Sequence, residues 1–175
     1  MRLTFALLIA ALLPAGALVP AAAQAAVIGG PLLRDGLEIV PSLLTGVELD
    51  RVPTSMSRGP DSIVLVADVH AAKDEAHGFA EHVFIPYLSI SYSLTKEGMP
   101  TFKRAGLLVP VAGKSGPRYG ATADMAGPGT YHLIYLISPP SSHGMMRQTD
   151  PSGGVPDWWK PITANWTFTY PTGAK

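Results

Sequence analysis

The chain has 175 residues, with 13 basic and 13 acidic side chains, and is formally neutral at pH 7 with no cysteine. That balance leaves no clustered positive charge of the kind nucleic acid or anionic lipid requires. The absent thiols exclude disulfides and thiolate chemistry, so the fold must rest on its core alone.

The chain opens like an export signal. Arg2 is a short positive region, "LTFALLIAALLPAGAL" an apolar one, and "AQA" (Ala23 to Ala25) a small-residue cleavage site. Pro14 and Gly16 interrupt the apolar run, which argues against a retained transmembrane anchor, and no cysteine follows to take a lipid. The expectation is a signal peptide over residues 1–25 and one domain over 26–175, exported to the periplasm with no membrane anchor once the signal is removed. About 150 residues suffice for one sizeable core.

The domain reads as all-β. Strands are expected at Leu37–Leu49, Ser62–Ala71, Phe84–Leu94, Gly106–Ala112, Tyr131–Ser138 and Ile162–Tyr170, separated by "SRGPD", "EGMP", "GKSGP", "AGPGT" and "SPPSS". In "IPYLSISYSL" the alternation puts Ile85, Tyr87, Ser89, Ser91 and Ser93 on one face and Leu88, Ile90 and Tyr92 on the other. Six or seven short strands joined by Gly/Pro turns suggest a two-sheet sandwich. The long irregular segment "MMRQTDPSGGVPDWWKP" is expected to be pinned to it by Trp158 and Trp159.

Catalytic signatures fail on spacing. "AGKSG" lacks the first glycine of a phosphate loop, Leu108 standing in its place, and "HGFAEH" has one residue too many for an inverted zincin motif. In "GKSGP", Pro117 occupies the second glycine of a nucleophile elbow. With no nucleophile–base pair and no cofactor fingerprint, the chain is read as non-enzymatic.

"GLEIVPSLLTGVELD", "ADVHAAKDEAHGFAEHVFIPYLSISYSLTKEG", "SGPRYG", "GPGTYHLIYLISPP", "RQTD" and "DWWKP", in this order, resemble the bacterial periplasmic iron-transport family that works beside an inner-membrane iron permease. The resemblance runs from about Gly36 to Tyr170. It implies an immunoglobulin-like, cupredoxin-like antiparallel β-sandwich of about seven strands, usually a homodimer, that binds copper and takes part in iron uptake. Copper or iron is therefore the cofactor the resemblance implies.

The ligand positions depart from that family. Its metal strand reads H-x-E-A-D-x-H-A, and here "VLVADVHA" puts Val64 and Val66 at the His and Glu. Its next segment carries Met and His, replaced here by Val111 and Arg118. Its last His becomes Gln148 in "RQTD". Valine offers no lone pair and arginine is a permanent cation, so the donors suited to copper are gone. Val64, Val66, Asp68 and His70 share one strand face. An Asp68–Arg118 ion pair and two valines are expected to fill the old pocket.

Other donors remain. Glu38 and Asp68 are candidates for a weak hard-cation site, Asp68 otherwise being an ion-pair partner and His70 structural. Asp74, Glu75, His77, Glu81 and His82 are read as a solvated loop. His143, Met145 and Met146 offer a relocated soft-metal site, against the simpler reading of methionines packed beside the Trp pair. Two functions follow: a periplasmic accessory of iron uptake with its copper site replaced, or a metal-free β-sandwich acting as a protein-interaction or scaffold subunit.

Overall fold

A computed structural model describes residues 24–59 and 62–171. Nearly all of the expected signal peptide, residues 1–23, lies outside the described residues. Gln24 and Ala25, expected to end it, lie in the first strand.

Among the described residues nine strands form the fold: β1 (Gln24–Val27), β2 (Leu32–Arg34), β3 (Leu37–Thr45), β4 (Ser62–Ala71), β5 (Ser89–Lys96), β6 (Met99–Gly113), β7 (Gly116–Asp124), β8 (Gly129–Ser138) and β9 (Ile162–Tyr170). All pairings are antiparallel, in the order β1-β3-β4-β7-β6-β5-β8-β9, with β2 beside β3. The expected sandwich of about seven strands is thus a single cupredoxin-like sheet of nine, curled back on itself. The join is β6, which pairs with β5 as far as Leu108 and with β7 from Val109 onward. A strand that changes partners in this way makes the corner between two facing layers.

The core lies between those layers. On β8 Tyr131, Leu133, Tyr135 and Ile137 point inward, while His132, Ile134 and Leu136 point out. The opposite layer contributes Ile63, Leu65, Ala67 and Val69 from β4 and Tyr119, Ala121 and Ala123 from β7. The two layers also meet through hydrogen bonds. Tyr135 donates to the Val66 carbonyl at 3.1 Å, and the Trp166 indole to the Gly30 carbonyl at 3.0 Å.

One strand start moved for a local physical reason. The strand expected from Phe84 begins only at Ser89, because Tyr87 adopts φ 61° and breaks the alternation. The four residues Asp35–Gly36 and their flanks form a tight hairpin between β2 and β3, with φ of 51° and 76° at the two turn positions.

Gly36 also lies against the next loop: a β-carbon there would sit 2.8 Å from the Glu75 Cα. Gly36→Ala is therefore expected to cost more than about 1 kcal/mol, from left-handed strain and backbone crowding together. A urea midpoint equal to that of the parent protein would contradict this.

Candidate functional site

The outer face of the β3–β4–β7 layer carries the positions at issue. Along β4 the side chains of Val64, Val66, Asp68 and His70 alternate onto that face, as strand geometry requires. An outer face is ordinarily half exposed, yet Val64 is 4% and Val66 0% exposed. The segment Val47–Leu49, following β3, lines a cavity over them.

Register brings the remaining positions in. Val66 pairs with Gly120, and Val111 with Arg118, so β7 carries both toward β4. Val64, Val66, Val111 and Arg118 together line one cavity of about 180 Å³, beside Leu44 and Val47. Gly120 is the floor: a β-carbon there would meet Val111 Cγ2 at 3.2 Å and Val64 Cγ1 at 3.3 Å. The valine methyl groups thus approach each other across a glycine that leaves them room.

At the cavity's edge Arg118 Nε lies 4.0 Å from Asp68 Oδ1, their side chains 17% and 29% exposed. A second guanidinium nitrogen, Nη2, donates to the Ser115 hydroxyl. A cation entering here would meet methyl groups, a fixed positive charge and a single carboxylate, Glu48, with no imidazole or thioether beside it. The residues present do not fit copper.

Gln148 does not join this group. It is exposed, and its amide donates to Asp150 Oδ2. Hydrogen bonds from the Ser152 hydroxyl and then from Gln148 hold the Asp150 carboxyl down at about 2. Glu38 pairs in register with His70 and lines a separate groove with Asp35, Asp74, Glu81 and His82. His70 sets its ring edge-on to Phe84 at 6.4 Å. Among the described residues, no group of three or more His, Cys, Asp or Glu side chains is arranged to hold a metal ion.

Met146 is 90% exposed and so is not packed as expected, Met145 is half-buried, and His143 is exposed with Nδ1 3.1 Å from the Tyr87 carbonyl oxygen.

The loop after β4 is solvated at Asp74, Glu81 and His82, as expected, but not at Glu75 and His77. The side chains of Glu75 and His77 are 1% and 8% exposed. Glu75 accepts the backbone N–H groups of His77 at 2.8 Å and Phe79 at 2.9 Å, and its Oε1 lies 2.7 Å from His77 Nδ1. His77 stacks on Trp158 at 4.8 Å, while its Nε2 faces the Asp157 carbonyl oxygen at 3.1 Å. The Trp pair does pin its loop, and Glu75 with His77 form the anchor. No local pattern marks them, because their cover arrives 80 residues later in the chain.

Comparison with known proteins gives one consistent answer. The model of the family described as "Fe2+ transport protein" matches residues 22–172. A UPF0423 protein of Brucella abortus is 40% identical over 154 residues, 85% of this chain and 83% of that protein. A 34 kDa membrane antigen of Treponema pallidum is 30% identical, over 78% of this chain and 67% of its own length. Among solved structures, copper-reconstituted P19 of Campylobacter jejuni is similar at TM-score 0.78 and 32% identity, covering 85% of this chain and 97% of that one. FetP of uropathogenic Escherichia coli is similar at TM-score 0.76 and 34% identity, covering 84% and 96%. A copper-bound variant of FetP has also been solved.

Proposed function

The chain belongs to the Fe2+ transport protein family, and from that premise we propose that it is a non-enzymatic periplasmic accessory of bacterial iron uptake whose copper site has been replaced. The observation that carries this is the shared cavity of Val64, Val66, Val111 and Arg118. Four positions, scattered over three strands in the sequence, converge on one place and supply no donor there. Independent surface drift would have no reason to pick positions that meet. The Asp68–Arg118 pair takes the place of metal and ligand charge, and Gln148 keeps only the position of the last ligand. Export through a signal over residues 1–25, supported by the Arg2, apolar-run and AQA pattern, belongs to the same reading, as do a homodimer and an inner-membrane iron permease as partner, which kinship alone supports.

The concerted filling of the cavity with methyl groups also favours a second reading, a metal-free sandwich acting as an interaction or scaffold subunit. A metal titration separates the two. Cu(II), Cu(I), Fe(II) and Mn(II) are titrated into the exported protein by calorimetry, beside a Met145→Ala, Met146→Ala variant. No saturable copper binding is expected at the cavity, and the fourfold variant Val64→His, Val66→Glu, Val111→Met, Arg118→His is expected to gain it. Stoichiometric copper binding that perturbs the amides of Val64 and Arg118 in the parent protein would sink the proposal. Soft-metal binding abolished by the methionine variant would instead place the metal at His143, Met145 and Met146. No binding of any kind favours the scaffold reading.

A further inference from the structure

We infer that His77 is a proton-operated latch: its doubly protonated ring clamps the loop of Trp158 and Trp159 to the loop after β4, and loss of one proton releases it. None of the replaced metal positions belongs to the latch.

The chemistry follows from what each ring nitrogen faces. Nδ1 lies 2.7 Å from Glu75 Oε1, and Nε2 lies 3.1 Å from the Asp157 carbonyl oxygen. A carbonyl oxygen only accepts, so Nε2 must carry a proton to bond there. The Glu75 carboxyl accepts on both oxygens, from the His77 backbone N–H on Oε1 and the Phe79 N–H on Oε2. Nδ1 must therefore donate as well. A neutral imidazole has one N–H and one lone pair, and can satisfy only one of these partners. Both bonds together require the imidazolium.

Burial favours the same state. The Glu75 side chain is 1% exposed and that of His77 8%. A carboxylate withdrawn from water needs a positive partner. Among the described residues, His77 is the only basic side chain within ion-pair distance of Glu75. The Asp157 carboxylate points to solvent, where Arg147 Nη2 donates to it. Lys73, Asp74, Glu81 and His82 on the first loop and Lys160 on the second are exposed.

The two bonds are unequal. Nδ1 meets a carboxylate within its own loop, and the charge strengthens that bond. Nε2 meets a neutral carbonyl 80 residues further along the chain. The proton given up as pH rises is the one on Nε2. A lone pair then faces the Asp157 oxygen, and attraction between the loops turns to repulsion. The stack of His77 on Trp158, at 4.8 Å with the rings 13° apart, loses its cationic partner in the same event.

What is released is tied together. Arg147 Nη1 donates to the Val155 carbonyl at 2.9 Å, and the Val155 N–H to the Gln148 carbonyl at 3.0 Å. The segment from Arg147 to Asp157 therefore moves as one piece, with Gln148 on it.

The test follows the His77 ring of the exported protein by long-range proton–nitrogen NMR from about pH 5 to 9, a span that brackets the ordinary imidazole range. Tryptophan emission and the Trp158 indole resonance are read in the same samples. At the acid end both ring nitrogens should carry protons. As pH rises, Nε2 should lose its proton in one reversible step, and the emission should move to the red in that step. His77→Asn offers an amide N–H in place of Nδ1 and nothing toward Asp157, so it should show the red-shifted emission at every pH.

A ring that keeps the same protons across that span overturns the proposal. So does a ring that titrates while the Trp158 resonance and the emission stay still, or an emission step that persists in His77→Asn. Should that variant fail to fold, the ring and indole signals of the parent protein decide alone.

Discussion

Glu75→Ala is expected to destabilise the protein by about 3–5 kcal/mol, the range for uncovering a buried charged partner. The carboxylate is the common acceptor for two backbone N–H groups and the His77 ring, and its side chain is almost wholly buried. Alanine leaves all three donors unpaired, and each buried donor without a partner costs about 1–3 kcal/mol. The damage should spread to the Trp loop, which His77 holds by stacking on Trp158 and facing the Asp157 carbonyl. Tryptophan emission should therefore shift to the red in the folded variant. Glu75→Gln should be nearly as harmful, because its amide nitrogen cannot accept from a backbone N–H. Denaturant midpoints within experimental error of the parent for both variants would refute the assignment of Glu75 as an anchor.

Raising the pH from 10 to 12 should remove about 2 kcal/mol of stability through Tyr119 alone. Burial pushes its phenol up to about 12, offset in part by the Leu88 N–H bond. An unfolded tyrosine ionises near pH 10, so above that value the unfolded chain releases a proton that the folded chain keeps. The unfolded state then binds fewer protons, and stability falls as pH rises. Below pH 10 the contribution is constant. Tyr135, pushed further up by complete burial, steepens the same alkaline limb.

Tyr119→Phe should flatten part of that limb while costing about 1–3 kcal/mol at neutral pH, since the buried Leu88 N–H loses its acceptor. Thermal melts of the two proteins between pH 8 and 12 provide the check. Parallel curves across that range would show that Tyr119 does not control the alkaline loss. Tyr119 lies beside Arg118 and Gly120 on β7, so one strand holds the altered cavity on one face and the corner loop Ile85–Leu88 on the other.

Legibility followed local chemistry. β4 and β9 were readable to the residue, because an apolar run rich in valine fills β4, β-branched and aromatic residues dominate β9, and turn residues bound them. β8 showed clean alternation. β7 escaped notice, since "GPRYGATAD" is mostly small residues with little apolar bulk. Its burial reflects a place in the middle of the sheet, between β4 and β6. β1 and β2 are four and three residues long and carry too short a pattern to read. The Asp35–Gly36 hairpin did carry a signal, an Asp-Gly pair between apolar residues.

The sequence by itself determined the all-β class, the absence of thiol chemistry, the kinship, and the choice of Val64, Val66, Val111, Arg118 and Gln148 as the positions proposed to have replaced metal ligands. Each of these depends on what a side chain is, or on neighbours along one strand. Only the tertiary structure decided that four of those five positions share a cavity while Gln148 faces Asp150 instead. It likewise decided that Glu75 and His77 are buried and that Tyr87 and Met146 stand in solvent. The physical reason is that antiparallel register and the β6 corner bring together residues far apart in the chain. Burial at an outer face depends on whichever distant segment covers it, and strand periodicity carries no record of that segment.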